Sequence, residues 1–225
     1  MLPSCLRLPV ALCAALAALA SSAPAQQAIG APAQPRSTFV ADGLGKGAVA
    51  LDGPWQFHLG DDMAWANPVF DDSQWEQLSA DRPWGAQGHK GYTGIAWYRR
   101  RIAITLAPGA SPDLALYLPA VNDAYEVYWN GALVGRYGRL PPDPVWYYLP
   151  PPQTMGLGQA RSGVLALRVW KAPLTSNDSV MTGGFSFAPS IGSPAAIAGL
   201  KALPTACAGR LQVELRSPST ACISW

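Results

Sequence analysis

Apolar and polar residues alternate in several short stretches of this chain, and this alternation predicts β-strands. The clearest stretches are residues 55–59, 98–104, 114–118 and 165–169. A period of two residues places successive side chains on opposite faces, so each strand has one buried face and one wetter face. Turn residues separate these strands at short intervals. The pattern predicts an all-β fold, a two-sheet antiparallel β-sandwich or jelly roll.

A β-hairpin at Asn130-Gly131 is the strongest local prediction. These two residues separate the apolar runs 125–129 and 132–134, and a type I′ turn requires positive φ at both of its central residues. Residues 145–149 lie between groups of prolines, which cannot donate to a strand ladder, so they are expected to form an edge strand or a long surface loop. Helical patterning is confined to short pieces such as residues 195–202.

The N-terminal 25 residues have the features of a signal peptide. A positively charged start precedes the apolar run 8–20, and Ala23-Pro24-Ala25 supplies the small residues of a cleavage site. The run is shorter than the roughly 20 residues that span a bilayer. We therefore expect export to the periplasm or the extracellular space. Membrane attachment is expected only through a missing C-terminal region, if at all.

Composition divides the mature chain into three parts. Residues 26–45 are predicted to be a flexible lead, residues 46–194 the sandwich, and residues 195–225 an irregular tail that a truncation or frameshift would explain. Cys207 and Cys222 are the cysteines that remain after cleavage, and the sequence leaves their pairing in a disulfide open. The sequence leaves the oligomeric state open as well.

Charge and motif content exclude several functions. Charged residues make up 13% of the chain and the net charge is +2, so no basic surface for nucleic acid is predicted. The chain has no phosphate-binding loop, no nucleophile elbow and no His/Cys cluster with the spacing of a metal site. We expect no cofactor and no metal.

Carboxylates are too few and too poorly placed for glycoside hydrolysis, which needs two carboxyl groups with separated pKa values. The mature chain has three glutamates, Glu76, Glu126 and Glu214. The aspartate pairs 61–62 and 71–72 lie in turn-like contexts, where capping of backbone N–H groups is their expected role. The chain is therefore predicted to be non-catalytic.

Five motifs in order resemble the sugar-binding domain of family-2 glycoside hydrolases. They are residues 51–57 (LDGPWQF), 70–75 (FDDSQW), 94–99 (GIAWYR), the hairpin 124–135 and the late strand 165–169. The resemblance implies a galactose-binding-like jelly roll. In β-galactosidases and β-glucuronidases such a domain precedes a catalytic barrel, whereas similar domains form the exported N-terminus of bacterial membrane receptors. Fold alone does not choose between the two.

Candidate ligand-binding residues are aromatic and polar side chains in turn-rich segments, because a sugar stacks on an aromatic ring and its hydroxyls need polar partners. One segment surrounds the Gly-rich loop 85–91, and the other is the proline-bracketed segment with the turn before it. The candidates are Trp84, His89, Tyr92, Arg139, Trp146 and Tyr147. The tryptophans inside the shared motifs are expected in the core instead: Trp55, Trp75, Trp97 and Trp129. His58 is expected at the surface.

Three functional hypotheses follow. The first is an exported carbohydrate- or small-ligand-binding module of a larger bacterial signalling protein, and the lack of an acidic residue in segment 135–141 favours it over a β-galactosidase. The alternative is the N-terminal sugar-binding domain fragment of a family-2 glycoside hydrolase. The third is a structural domain without a ligand.

Overall fold

The computed structural model describes residues 37–146, 150–173 and 183–202, and this part of the chain is built almost entirely from β-strands. The strands are β1 (Thr38–Leu44), β2 (Ala48–Ala50), β3 (Trp55–Leu59), β4 (Glu76–Leu78), β5 (Gly94–Leu106), β6 (Leu114–Leu118), β7 (Val121–Asn122), β8 (Ala124–Trp129), β9 (Ala132–Tyr137), β10 (Gln153–Gly158), β11 (Ser162–Lys171), β12 (Gly184–Phe185) and β13 (Ser190–Gly192). The helical segments are two 3₁₀ turns, Met63–Ala66 and Trp84–Gln87, and helix α1 (Pro194–Ala202).

Two sheets form the sandwich. The larger sheet has the strand order β4-β3-β5-β11-β8-β9, and the smaller has the order β10-β6-β13-β2. β12 and β7 form a short separate pair. All of these pairs are antiparallel, and only β1 runs parallel to its partner, β5. The predicted all-β, two-sheet antiparallel sandwich is confirmed.

The predicted hairpin joins β8 to β9. Asn130 has φ 51° and Gly131 has φ 84°, the two positive values that a type I′ turn requires. The Asn130 side chain also binds the neighbouring strand, because its Oδ1 accepts from Val164 N at 2.9 Å and its Nδ2 donates to Ser162 O at 3.3 Å. The turn is thereby attached to the start of β11.

The main core lies between the two sheets and is rich in aromatic rings. Trp55, Phe57, Tyr98 and Phe185 are fully buried. Ring centroids lie 4.8 Å apart for Phe57–Tyr98 and for Tyr98–Phe185, and 5.5 Å apart for Trp55–Phe185. Contacts at these distances and tilted angles add to the stabilisation from apolar burial. Trp129 also lies in this core, as its motif predicted.

A second cluster covers the outer face of the larger sheet, where an antiparallel sandwich usually meets water. The segment between β3 and β4 folds over this face and brings Trp65, Phe70 and Trp75 against Trp97. Trp75 and Trp97 are therefore buried, as predicted, but in this outer cluster. His58 is exposed at its margin.

A buried ion pair attaches the covering segment to the sheet. Asp72 Oδ2 accepts from Arg99 Nε at 2.8 Å and Asp72 Oδ1 accepts from Arg101 Nη2 at 3.0 Å. Arg99 also donates to the carbonyl oxygens of Trp65 and Asn67. Because each of the three nitrogens of this buried guanidinium finds an acceptor in the segment, its charge is compensated where it lies.

Two predicted boundaries need correction. The flexible lead 26–45 contains strand β1, which pairs with β5 and places Ala41 and Leu44 in the core. Only two of the seven residues of β1 are buried, so the sequence pattern is too weak to predict a strand there. The irregular tail 195–225 begins with the helix α1, which packs Ile197 against Ala115 and Tyr117.

Other expectations fall outside the described residues. They are the signal peptide 1–25, the cysteine pair and the remainder of the tail. Within the described part, no helix has the length and apolar character needed to cross a membrane.

Candidate functional site

Three candidates from the Gly-rich segment, Trp84, His89 and Tyr92, come together at one end of the sandwich. The Trp84 ring lies 5.9 Å from Tyr92 and 6.4 Å from Tyr98, centroid to centroid. Trp84 is fully buried, so its ring presents no exposed face on which a sugar could stack, and its role in ligand binding stays a prediction. The short 3₁₀ turn that begins at Trp84 directs the ring inward against Phe57.

His89 and Tyr92 are held by protein partners. His89 Nε2 lies 2.8 Å from Glu76 Oε1, and the imidazole ring packs 5.0 Å from the Phe57 ring. The hydroxyl of Tyr92 donates to the carbonyl oxygen of Ile95 at 2.6 Å. Burial raises the pKa of Tyr92, so the hydroxyl keeps its proton. Both side chains thus fix the Gly-rich loop to the sheet.

The second group lies elsewhere, over the outer face of the larger sheet. Arg139 is exposed and donates from Nε to the carbonyl oxygen of Asp143 at 2.5 Å. Trp146 is half-buried and packs against a cluster that includes Leu140 and Trp170. Tyr147 lies outside the described residues. The structure therefore does not unite the six candidates in one site.

A strip of polar side chains lies on this outer face, between the segment that joins β3 to β4 and the cluster that Trp146 packs against. We call it the charged strip, and its members are Asp61, Glu126, Arg136 and Arg168. Arg168 pairs with Glu126 across β11 and β8, and Glu126 pairs with Arg136 across β8 and β9. Arg168 donates to both carboxylates, at 2.5 and 2.7 Å to Asp61 and at 3.0 Å to Glu126. Exposed fractions of 17%, 33% and 19% for the side chains of Arg168, Asp61 and Glu126 leave the strip accessible.

Trp146 borders the charged strip. Its neighbours Ala124 and Trp170 form the strand pair two residues along from Glu126 and Arg168. At about 3.3 Å per residue, that pair lies about 7 Å away on the same face. An aromatic side chain therefore stands beside a row of donors and acceptors.

Electrostatics favour the charged forms of Asp61 and Arg168. Burial alone would raise the pKa of Asp61, but hydrogen bonds from Arg168 and Trp97 and the Arg168 charge bring it below its usual range. Hydrogen bonds to Asp61 and Glu126 raise the pKa of Arg168, although its burial acts in the opposite direction. Burial, with the bond to Glu126, raises the pKa of Tyr128, whose hydroxyl donates to Glu126 Oε2 at 2.7 Å.

This arrangement suits binding better than hydrolysis. A glycoside hydrolase requires one carboxyl group whose pKa is raised so that it can donate a proton. Asp61 has the opposite shift, and both carboxylates of the strip share one guanidinium. Within the described residues Glu126 Oε1 makes no hydrogen bond, and it remains available to accept from a ligand hydroxyl, as Arg136 remains available to donate.

A second polar group, missed by the sequence reasoning, lies inside the sandwich next to Trp84. Lys171 and Tyr98 are fully buried, and Asn122 is almost so. The signal was present, because Leu165, Leu167 and Val169 alternate inward and the same period places Lys171 on the inner face. Burial lowers the pKa of Lys171, and the negative charge of Asp123 partly offsets that effect.

Among the described residues, no group of three or more His, Cys, Asp or Glu side chains is arranged to hold a metal ion.

The known proteins to which this chain is similar are glycosidases. No family model matches it. It is 28% identical over 93 residues to the β-galactosidase BoGH2A of Bacteroides ovatus. This match covers 36% of this chain and 11% of that protein. Among solved structures, a β-glucuronidase of Bacteroides uniformis is 23% identical with a TM-score of 0.49, over 64% of this chain and 17% of that one. A β-glycosidase of Bacteroides vulgatus is 20% identical with a TM-score of 0.47, over 64% and 20%.

The matched region is a small part of each of these proteins, so the chain spans about one tenth of the curated relative that it matches. The sequence match covers less than half of this chain as well. The predicted resemblance is confirmed: the chain is similar to a part of family-2 glycoside hydrolases.

Proposed function

We propose that this domain is a non-catalytic β-sandwich module of the kind that family-2 glycoside hydrolases contain, and that it binds carbohydrate without cleaving it. The match to a β-galactosidase supports the hydrolase setting. The hypothesis of a sensor module in a membrane receptor stays a prediction, as does export to the periplasm or the extracellular space.

The charged strip is the observation that carries this proposal. Glu126, Arg136 and Arg168 alternate in charge across three neighbouring strands, and sugar hydroxyls both donate and accept hydrogen bonds. Trp146 supplies an aromatic surface at the border of the strip. Aromatic rings and a few fixed polar groups are what a carbohydrate site requires.

The same geometry argues against catalysis. Arg168 bridges Asp61 and Glu126 through bonds of 2.5 to 3.0 Å. Protonating either carboxyl group would break a charge-assisted hydrogen bond, which costs about 1.5–3 kcal/mol. The lowered pKa of Asp61 therefore makes this carboxyl group a poor general acid near neutral pH.

Titration calorimetry with neutral sugars tests the proposal. Galactose, lactose and cellobiose are titrated into the purified chain, and at least one is expected to bind saturably. Trp146→Ala should weaken that binding about tenfold, since loss of an aromatic contact removes about 0.5–1.5 kcal/mol in addition to the buried area. Val145→Ala is the matched control, because Val145 is the exposed neighbour in the same segment.

Saturable binding that falls in Trp146→Ala and persists in Val145→Ala supports the proposal. Equal affinity in both variants would remove Trp146 from the site. Absence of binding for all three sugars would contradict carbohydrate recognition by the charged strip.

A further inference from the structure

The inner polar group around Lys171 has unused hydrogen-bonding capacity. Within the described residues, no hydrogen-bond partner lies within reach of Lys171 Nζ, Tyr98 OH, Trp84 Nε1 or Asn122 Oδ1. Leaving one such buried group without a partner costs about 1–3 kcal/mol, and more for a charged group. Native structures rarely keep several of them together unless something occupies the space between them.

Two of these atoms lie against the consecutive glycines Gly183 and Gly184. A Cβ added to Gly183 would lie 2.2 Å from Trp84 Nε1, and one added to Gly184 would lie 2.4 Å from Tyr98 OH. Gly184 pairs with Asn122 across β12 and β7. Two consecutive glycines with φ of 94° and 74° therefore bring backbone, and no side chain, against these polar atoms.

Lys171 lies on β11. It pairs with Gly94 on β5, and the next residue, Ala172, donates its N–H to Asp123 Oδ2 at 2.9 Å. Asp123 directly follows Asn122, and β12 packs against β11. Lys171 and Asn122 are thus held near each other by β11 and the β7–β8 junction.

The chemistry of the four atoms defines the ligand. Lys171 brings a cationic donor, Tyr98 and Trp84 bring neutral donors, and Asn122 brings an amide oxygen that accepts. Three donors around a positive charge suit the two oxygens of a carboxylate. The acceptor suits a hydroxyl group on the same molecule.

We propose that Lys171, Tyr98, Trp84 and Asn122 form a buried binding site for a small hydroxy-carboxylate. The carboxylate accepts from the lysine, the phenol and the indole, and the hydroxyl donates to the asparagine. This site is separate from the charged strip and does not depend on the carbohydrate binding proposed there. Burial keeps Tyr98 protonated by raising its pKa, so its hydroxyl remains a donor.

Thermal unfolding of the purified chain tests this site with defined probes. D-glycerate, D-glucuronate and acetate are compared with glycerol, D-glucose and sodium chloride at equal concentration. A hydroxy-carboxylate at about 100 times its Kd should raise Tm by roughly 5–10 °C. Glycerol, glucose and chloride should leave Tm unchanged, because they lack the carboxylate.

Lys171→Met should abolish the shift, and Tyr98→Phe should weaken binding about tenfold by calorimetry. Methionine resembles lysine in length and removes an amino group for which no hydrogen-bond partner lies within reach among the described residues, so the unliganded variant should keep the fold. Lys201→Met on α1 is the control, because Lys201 is exposed, and it should keep the full shift. Tyr98→Phe keeps the test decisive where Lys171→Met fails to fold.

A shift caused by glycerate or glucuronate that disappears with Lys171→Met and persists with Lys201→Met supports the site. An equal shift in both lysine variants would overturn it. A shift of the same size with glycerol or glucose would overturn recognition of charge. No shift with any carboxylate would overturn the site, whatever the outcome of the sugar titrations.

Discussion

Removal of the Asp72 carboxylate should strongly destabilise the domain, because it leaves a cation buried without its counterion. Asp72 is 1% exposed and Arg99 is fully buried. In Asp72→Ala, Arg99 would keep its bonds to the carbonyl oxygens of Trp65 and Asn67 but lose its carboxylate. Breaking a buried pair by deleting one partner costs about 3–5 kcal/mol.

The hydrogen bonds of Asp72 support a loss of unfolding free energy within this range. Asp72 accepts two charge-assisted bonds, at 2.8 Å from Arg99 and 3.0 Å from Arg101, and each contributes about 1.5–3 kcal/mol. Arg101 is 22% exposed, so water compensates part of its loss. At about 2–4 °C per kcal/mol for a chain of this size, Tm should fall by roughly 6–20 °C.

Urea unfolding followed by tryptophan fluorescence measures the change. Asp143→Ala is the control, since Asp143 is exposed, and it should alter the free energy of unfolding by less than about 0.5 kcal/mol. Asp72→Asn should fall between the two, because it keeps the shape and loses the charge. A loss below about 1 kcal/mol in Asp72→Ala would refute the assignment of Arg99 as a buried cation that depends on Asp72.

Three further predictions concern the core, a turn and pH. Trp84→Ala should cost about 3–5 kcal/mol of unfolding free energy as a core cavity, whereas the exposed Val69→Ala should cost less than about 0.5 kcal/mol; equal effects in urea unfolding would place Trp84 at the surface. Gly163→Ala should cost about 1–3 kcal/mol, because the new Cβ would meet Asn130 Oδ1 at 2.0 Å, while Gly156→Ala meets no atom within 4 Å and should be neutral or slightly stabilising. The pKa of Asp61 is lower in the folded state, so its contribution is present above the unfolded value of about 3.9 and is lost as the pH falls through the folded value. The parent should therefore lose more stability than Asp61→Asn between pH 5 and pH 2, and parallel curves would contradict the shift.

Strands with strict alternation and the Asn130-Gly131 hairpin were predictable, because both follow from local rules of side-chain period and turn geometry. β1 was not, since only Ala41 and Leu44 of its residues are buried and its partner on β5 is about 60 residues away. The outer cluster was also missed. Its covering segment has short turns and no periodicity, and its position is set by the Asp72 ion pairs.

The burial and the pairing of the candidate residues could not be predicted from local sequence context. Trp84 lies in a loop-like context that suggested exposure, yet a single 3₁₀ turn directs it into the core. Glu126 and Arg168 appeared as ordinary polar positions on two strands far apart in sequence. Only their pairing across β8 and β11 brings them together with Asp61.

Release of nitrophenol from 4-nitrophenyl β-D-galactoside and β-D-glucuronide tests most directly the claim that the domain binds without cleaving. The purified chain is predicted to release no more than buffer does, at any substrate concentration, because the carboxyl groups of Asp61 and Glu126 are both engaged by Arg168. A saturable rate that falls in Glu126→Gln and not in Asp143→Asn would contradict the claim and make the charged strip an active site.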